Sequence, residues 1–163
     1  MAVDMFLNMG ANIKGETKDA AQASKGDIDV LAWSWGMSQS GTFHTGGGGG
    51  AGKVNVQDIS LTKYIDSATG PIMKACCDGT HIDKIVLLVR KAGTTANKYI
   101  EMTMEKCIIT SVSTGGSGGE DKLTENVSIN FAKVSFDYFI QSDKGVTAAS
   151  GRCGWNIETN KAF

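Results

Sequence analysis

Proline occurs once in 163 residues, which excludes a proline-rich linker protein and a collagen-like repeat. There is no surplus of either charge: 16 basic residues face 17 acidic ones, a net charge of −1. That argues against nucleic-acid binding through phosphate neutralisation, which needs a basic excess or stripe, and against a disordered acidic tail. No apolar run approaches the roughly 18 residues of a membrane-spanning helix. Met1–Phe6 has neither a basic leader nor a long apolar stretch, so no classical signal peptide is expected. The protein is expected to be made and folded in the cytoplasm and, if exported, to leave by a route that reads no such signal. The four cysteines, Cys76, Cys77, Cys107 and Cys153, form no C-x-x-C pair. That removes the usual zinc spacing, and they read as idle thiols in a reducing compartment.

What the chain has instead is glycine, 21 residues of it, and 41% apolar residues, enough for a real core in one domain spanning residues 1–163. Val3–Met9 alternates as a first strand, and Ala11–Gly26 is a polar loop. Ile28–Met37 reads as a strand with Leu31, Trp33, Trp35 and Met37 on one face and Val30, Ala32, Ser34 and Gly36 on the other. The first face is large and apolar, hence core. The second is small and nearly uncharged, unusual for a strand that simply meets solvent. Val54–Tyr64 is a strand whose apolar phase slips near Asp58, as at a bulge. Asp66–Gly79 is the one helix, with Pro71 in its first turn, Ile72, Met73 and Cys76 on one face and Gly79 ending it. Lys84–Lys91 is a strongly apolar strand. Tyr99–Thr114 alternates with Ile100, Met102, Met104 and Ile108 inward. Thr124–Tyr138 places Val127, Ile129 and Phe131 inward and Thr124, Asn126, Ser128 and Asn130 outward, and its phase then flips at Val134. A polar loop over Lys144–Gly151 precedes a short last strand, Gly154–Ile157. About seven strands and one helix make an all-β barrel or sandwich with a single flanking helix. Eight glycines fall between Gly36 and Gly52 and four between Gly115 and Gly119. Glycine-rich excursions of that kind usually carry contacts rather than packing.

Motifs for chemistry fail one by one. Gly47–Lys53 matches G-x-x-x-x-G-K, but Val54 stands where a P-loop needs Ser or Thr, and strand-like sequence follows where a helix must start. A nucleotide-dependent enzyme is therefore the weakest of three function classes. His44 lies in the glycine-rich loop without a nearby orienting carboxylate, and His81 follows the helix, where a histidine meets the C-terminal dipole. Trp33 and Trp35 could form an aromatic platform, but Leu31 and Met37 beside them favour core. No enzyme, cofactor or metal is expected.

The segments DVLAWSWGMSQSG (Asp29–Gly41), GGGGGAGKVNVQD (Gly46–Asp58), TKYID (Thr62–Asp66), VRKAG (Val89–Gly93) and STGGSGGEDKLTENV (Ser113–Val127) resemble Hcp. This is the haemolysin-coregulated protein family of Gram-negative type VI secretion systems. The blocks keep order and spacing along most of the chain; departures lie in Ala11–Gly26, the helix and the stretch from Gln141 onward. The resemblance implies a mainly β fold, a two-sheet β-barrel with one flanking α-helix, closed into a hexameric ring like a phage tail tube. It implies a structural function: rings that stack into the inner tube of the secretion machine and carry small effectors in the channel. The implied partners are further copies of itself, sheath, baseplate and spike proteins, and small effectors, without nucleic acid or membrane insertion. The plain structural form, without an appended effector domain, is expected. By the same resemblance Ser34 and Ser117, with Ala32 and Gly36, face the channel, and Gly46, Gly47, Gly48, Gly49, Gly50, Ala51 and Gly52 form a loop reaching the adjacent ring. A phage-type tail tube protein is the alternative, built on the same physics.

Overall fold

The computed structural model describes residues 2–44, 50, 52–93, 95–142 and 147–163. In chain order it contains β1 (Val3–Asn8), β2 (Ile28–Ser34), β3 (Met37–Ser38), β4 (Asn55–Val56), β5 (Ile59–Tyr64), α1 (Thr69–Asp78), β6 (Ile82–Lys91), β7 (Lys98–Thr114), β8 (Thr124–Gln141), β9 (Thr147–Asn156) and β10 (Lys161–Ala162). The strands pair in the order β10-β9-β8-β5-β2-β1-β6-β7, and β7 pairs again with β8. That second pairing closes β8-β5-β2-β1-β6-β7 into a six-stranded antiparallel barrel, which leaves β9 and β10 as an extension beyond β8. The expected barrel with one flanking helix is the fold observed.

The barrel has two flattened sides because β7 and β8 change face halfway along. Met104 and Cys107 are both buried on β7, as are Phe131 and Val134 on β8, although residues three apart on a regular strand point to opposite faces. Between the pairs Cys107↔Phe131 and Glu105↔Lys133 lie Lys106 and Ala132. Lys106 adopts φ 53°, a left-handed conformation rare outside glycine, Asn and Asp. The phase flip expected at Val134 is thus real, and it has a partner on β7 that alternation alone mispredicts: Cys107 and Ile109 are buried instead of Ile108.

Interior side chains from both sides form one cluster, with Leu7, Ile28, Ile59, Leu87, Met102, Met104, Val127 and Ile129 at its heart. The helix lays Thr69, Ile72, Ala75 and, in part, Cys76 against it, so of the expected face only Met73 is left exposed. Gly79 ends the helix at φ 66°, its N–H donating to the Ala75 carbonyl, as a left-handed C-cap requires.

Four further expectations change. Val30 is buried and Leu31 exposed, because the β2–β5 register shifts between Val30 and Ala32: a bulge there moves the apolar phase by one. Met37 also lies outside the core, on the two-stranded ribbon β3–β4 that leaves the barrel. The anticipated bulge near Asp58 is a break, since β4 and β5 belong to different sheets. At the C-terminal end, β9 begins at Thr147, so residues 147–151 pair with β8 where a loop was expected.

Candidate functional site

The functional candidate is a surface made by four strands. Ser34 pairs with Ser60, Ser60 with Ser128, and Ser128 with Ser111, one row running β2-β5-β8-β7. One step along the strands, Ala32 pairs with Thr62, Thr62 with Asn126, and Asn126 with Ser113. All eight side chains are exposed or half-buried. Between the rows the side chains point the other way, and Trp33, Leu61, Val127 and Val112 enter the core. The result is a continuous face of hydroxyl, amide and methyl groups with no ionised side chain in its two central rows. Thr62 Oγ1 donates to Asn126 Oδ1 at 2.8 Å within it. Asp58 bounds the face at one end, where its carboxylate accepts from Thr110 Oγ1 at 2.8 Å and Asn130 Nδ2 at 2.7 Å. Asp29, which is exposed, bounds it at the other.

Both lateral margins of this face are open among the described residues. β1 pairs with β2 only at Phe6↔Asp29 and Leu7↔Ile28, which leaves Ala32–Ser34 without a neighbour on the side away from β5. β6 reaches β7 only as far as Ile82↔Cys107, so the stretch of β7 from 108 to 114 has β8 on one side alone. Unpaired N–H and C=O groups in a row template the addition of another strand.

Behind the face lies a buried charge cluster. Lys63, opposite Glu125 in the register, points inward and is 1% exposed. Its ammonium donates to Glu125 Oε1 at 2.5 Å, to Asp66 Oδ1 at 2.9 Å and to the Tyr64 carbonyl at 2.8 Å. Thr69 Oγ1 donates to the same Glu125 oxygen at 2.8 Å, while the Asp66 N–H donates to Thr69 Oγ1. The pair thus joins the sheet to the start of the helix. A buried ion needs this many partners to offset its desolvation.

The arm that carries β3 and β4 is rooted beside the face. Trp35 stacks on Phe136, ring centroids 6.3 Å apart, and its Nε1 donates to the Gln57 carbonyl at 3.0 Å. The Gln57 N–H donates to the Gly36 carbonyl at 2.9 Å. Trp33 and Trp35 are half-buried against the core, so they serve as packing and not as a platform.

The site residues read from the sequence are distributed as follows. Ala32 and Ser34 lie within the face. Gly36 lies past its edge, at the arm's root, where a Cβ would stand 3.4 Å from Gln57 Oε1. Ser117 is exposed in the loop after β7 and accepts a hydrogen bond from the Glu120 N–H. Gly46, Gly47, Gly48, Gly49 and Ala51 lie outside the described residues; Gly50 and Gly52 are exposed. Asn126 and Ser128, expected on the outward side of their strand, share one surface with Ala32 and Ser34. Ser60 and Thr62 were not singled out, although the alternation of Ile59-Ser60-Leu61-Thr62 carries the signal. Ser111, expected outward on its strand, is exposed, and Ser113 in the same phase is exposed too although it was not singled out.

The family model for the type VI secretion system effector Hcp matches residues 6–138. The chain belongs to the Hcp family. It is 56% identical over 164 aligned positions to protein hcp1 of Pseudomonas aeruginosa, covering 98% of each chain. Among solved structures it is similar to Hcp1 from Salmonella typhimurium, at 30% identity and a TM-score of 0.78 over the full length of both chains. It is also similar to a type VI secretion system effector from Yersinia pestis, at 30% identity and a TM-score of 0.72, over 91% of this chain and 98% of that one. Membership makes the chain a structural tube subunit of type VI secretion, and Hcp is a secreted protein.

Proposed function

We propose that six copies close into a ring by joining the free β2 margin of one protomer to the free β7 margin of the next. A heterologous contact of this kind closes when its rotation divides the circle, and the face of Ala32, Ser34, Ser60, Thr62, Ser111, Ser113, Asn126 and Ser128 becomes the channel wall. The single observation that carries this reading is the register-aligned, uncharged face, open on both sides. Hydroxyl and amide groups each contribute about 0.5–1.5 kcal/mol net per hydrogen bond. Cargo is therefore held by many weak contacts around the ring and released without an ion pair to break. A charged wall would concentrate ligands of one sign; this one holds small effectors of varied surface charge. Ser117 faces the channel from the loop after β7, and the Gly46–Gly52 segment reaches the adjacent ring. The rings assemble in the cytoplasm against sheath, baseplate and spike proteins and are then secreted, and the chain performs no catalysis.

Negative-stain electron microscopy of the purified protein tests the reading. Six-fold rings with an open centre are expected in end-on views, and compact monomers at micromolar concentration would overturn ring closure. Ser34→Trp should spare the ring and abolish effector retention. If an effector still co-purifies with that variant, Ser34 does not line the channel. Deletion of Gly46–Gly52 should leave rings that no longer grow into tubes, and normal tubes from it refute that role.

A further inference from the structure

Two features of the arm remain unused by this account. Phe43 is 91% exposed, more than any other large apolar side chain among the described residues, and an unfavourable state for an aromatic ring that buries 150–250 Å² when packed. At the root of the same arm, a cavity of about 390 Å³ separates Met37, Val54 and Val56 from Val134, Cys153 and Trp155 on the body of the barrel. Its lining is mainly apolar, and its volume falls within the range of pockets that take a ligand group, about 300–1,000 Å³. Phe43 does not occupy it, since a ring so exposed is packed against nothing.

We propose that Phe43 of one copy inserts into this cavity of another, as the side-chain anchor of contact between rings. The proposal rests on the ring reading above, in which the sheet margins are consumed laterally and the arm, leaving β2 and β5 past Ser34 and Ser60, is free to meet a different ring. A protruding apolar group and a complementary hole at separate places on one chain are the elements from which an assembly propagates. The occupant is a second copy because the chain itself supplies the matching knob.

Cys153 lines the cavity and is a free, exposed thiol, which gives a direct test. Phe43→Cys, in the full chain with Cys76 and Cys77 replaced by serine, is mixed as ¹⁵N-labelled and unlabelled protein, oxidised with a diamide reagent and digested. Two thiols then lose their protons and two electrons to the diamide and form one disulfide. A peptide joining position 43 of one isotope to Cys153 of the other is the expected product, absent when Cys153 is also serine. Joined peptides of a single isotope only would mean that the arm closes on its own cavity, and no joined peptide would mean that the two sites never meet; either overturns the proposal. In parallel, Phe43→Ala should raise the concentration needed for rings to stack by about ten- to a hundredfold, the loss expected for one buried aromatic side chain. Unchanged stacking would overturn the anchor role. Failure of the unmodified protein to form rings would count against the ring reading alone, because the isotope-mixed disulfide reports the contact whether or not rings are seen.

Discussion

On one side of the barrel, the sheet of β2, β5, β8 and the far half of β7 turns Ser, Thr and Asn outward and keeps the Lys63–Glu125 pair inside. On the other side, β6, the near half of β7, β8 and β9 turn ion pairs outward: Lys133–Glu105 at 3.2 Å, Arg152–Asp137 at 3.4 Å and Lys98–Glu101 at 2.6 Å. Beneath those pairs lie Leu87, Met102, Met104 and Val134. The same two strands, β7 and β8, contribute to both surfaces, so composition of the strands does not explain the difference; position relative to the kink at Lys106 does. A charge-laced face is what a solvated exterior carries. A neutral face with its charges withdrawn behind it suits the proposed channel wall, because like charges brought together around a ring would repel.

The contrast is sharpest at the two carboxylates Glu125 and Glu105. Glu125→Ala should cost about 3–5 kcal/mol in urea unfolding, since it strands a buried Lys63 beside a cavity. The double variant Lys63→Met/Glu125→Leu should recover most of that loss. If Glu125→Ala costs under about 1 kcal/mol, the buried pair does not hold helix to sheet. On the outer side, the strap of residues 11–26 is tied down by Arg90, itself 5% exposed, through Asp19 at 2.5 Å, and Arg90 also meets Asp4 of β1 at 3.4 Å. The Arg90 hydrogen bond is the main reason the Asp19 carboxyl titrates below its usual 3.8. A lowered folded-state value means that the strap's contribution is complete above pH 3.8 and is lost as pH falls through the lowered value. Acid unfolding of the unmodified chain and of Asp19→Asn should therefore differ at neutral pH and converge below pH 3.8; parallel curves would exclude the strap. Glu105→Ala, which breaks a pair whose partners are 42% and 35% exposed, should cost under about 1 kcal/mol and nothing in high salt. The smallest effect is at Cys107, whose thiol burial pushes up to about 12. Its raised value leaves stability intact below the usual 9.0 and withdraws its contribution only between 9 and 12. In the folded protein a thiol reagent should label Cys77 and Cys153 while Cys107 reacts only on unfolding.

Part of this face is legible in the sequence, and the misassigned positions around it share a cause. Alternation exposed the small face of β2 at Ala32 and Ser34 and that of β8 at Asn126 and Ser128, because period-2 patterning is a local property of each strand. It misassigned Leu31 and Ile108 because the bulge at Val30/Ala32 and the left-handed Lys106 each shift the phase by one. Nothing in the side-chain pattern marks a bulge that the partner strand imposes.

By itself, then, the amino-acid order determined the strands, the single helix with its Gly79 stop, the absence of a charge bias and the family, since these follow from propensity, periodicity and matching blocks. Tertiary structure alone decided that four separate strands line up their serines in one row, that Lys63 meets Glu125 behind them, and that β2 and β7 keep free margins. Register is a relation between segments as far apart as Ser34 and Ser128, set by which packing buries every apolar face at once, and no one segment contains it.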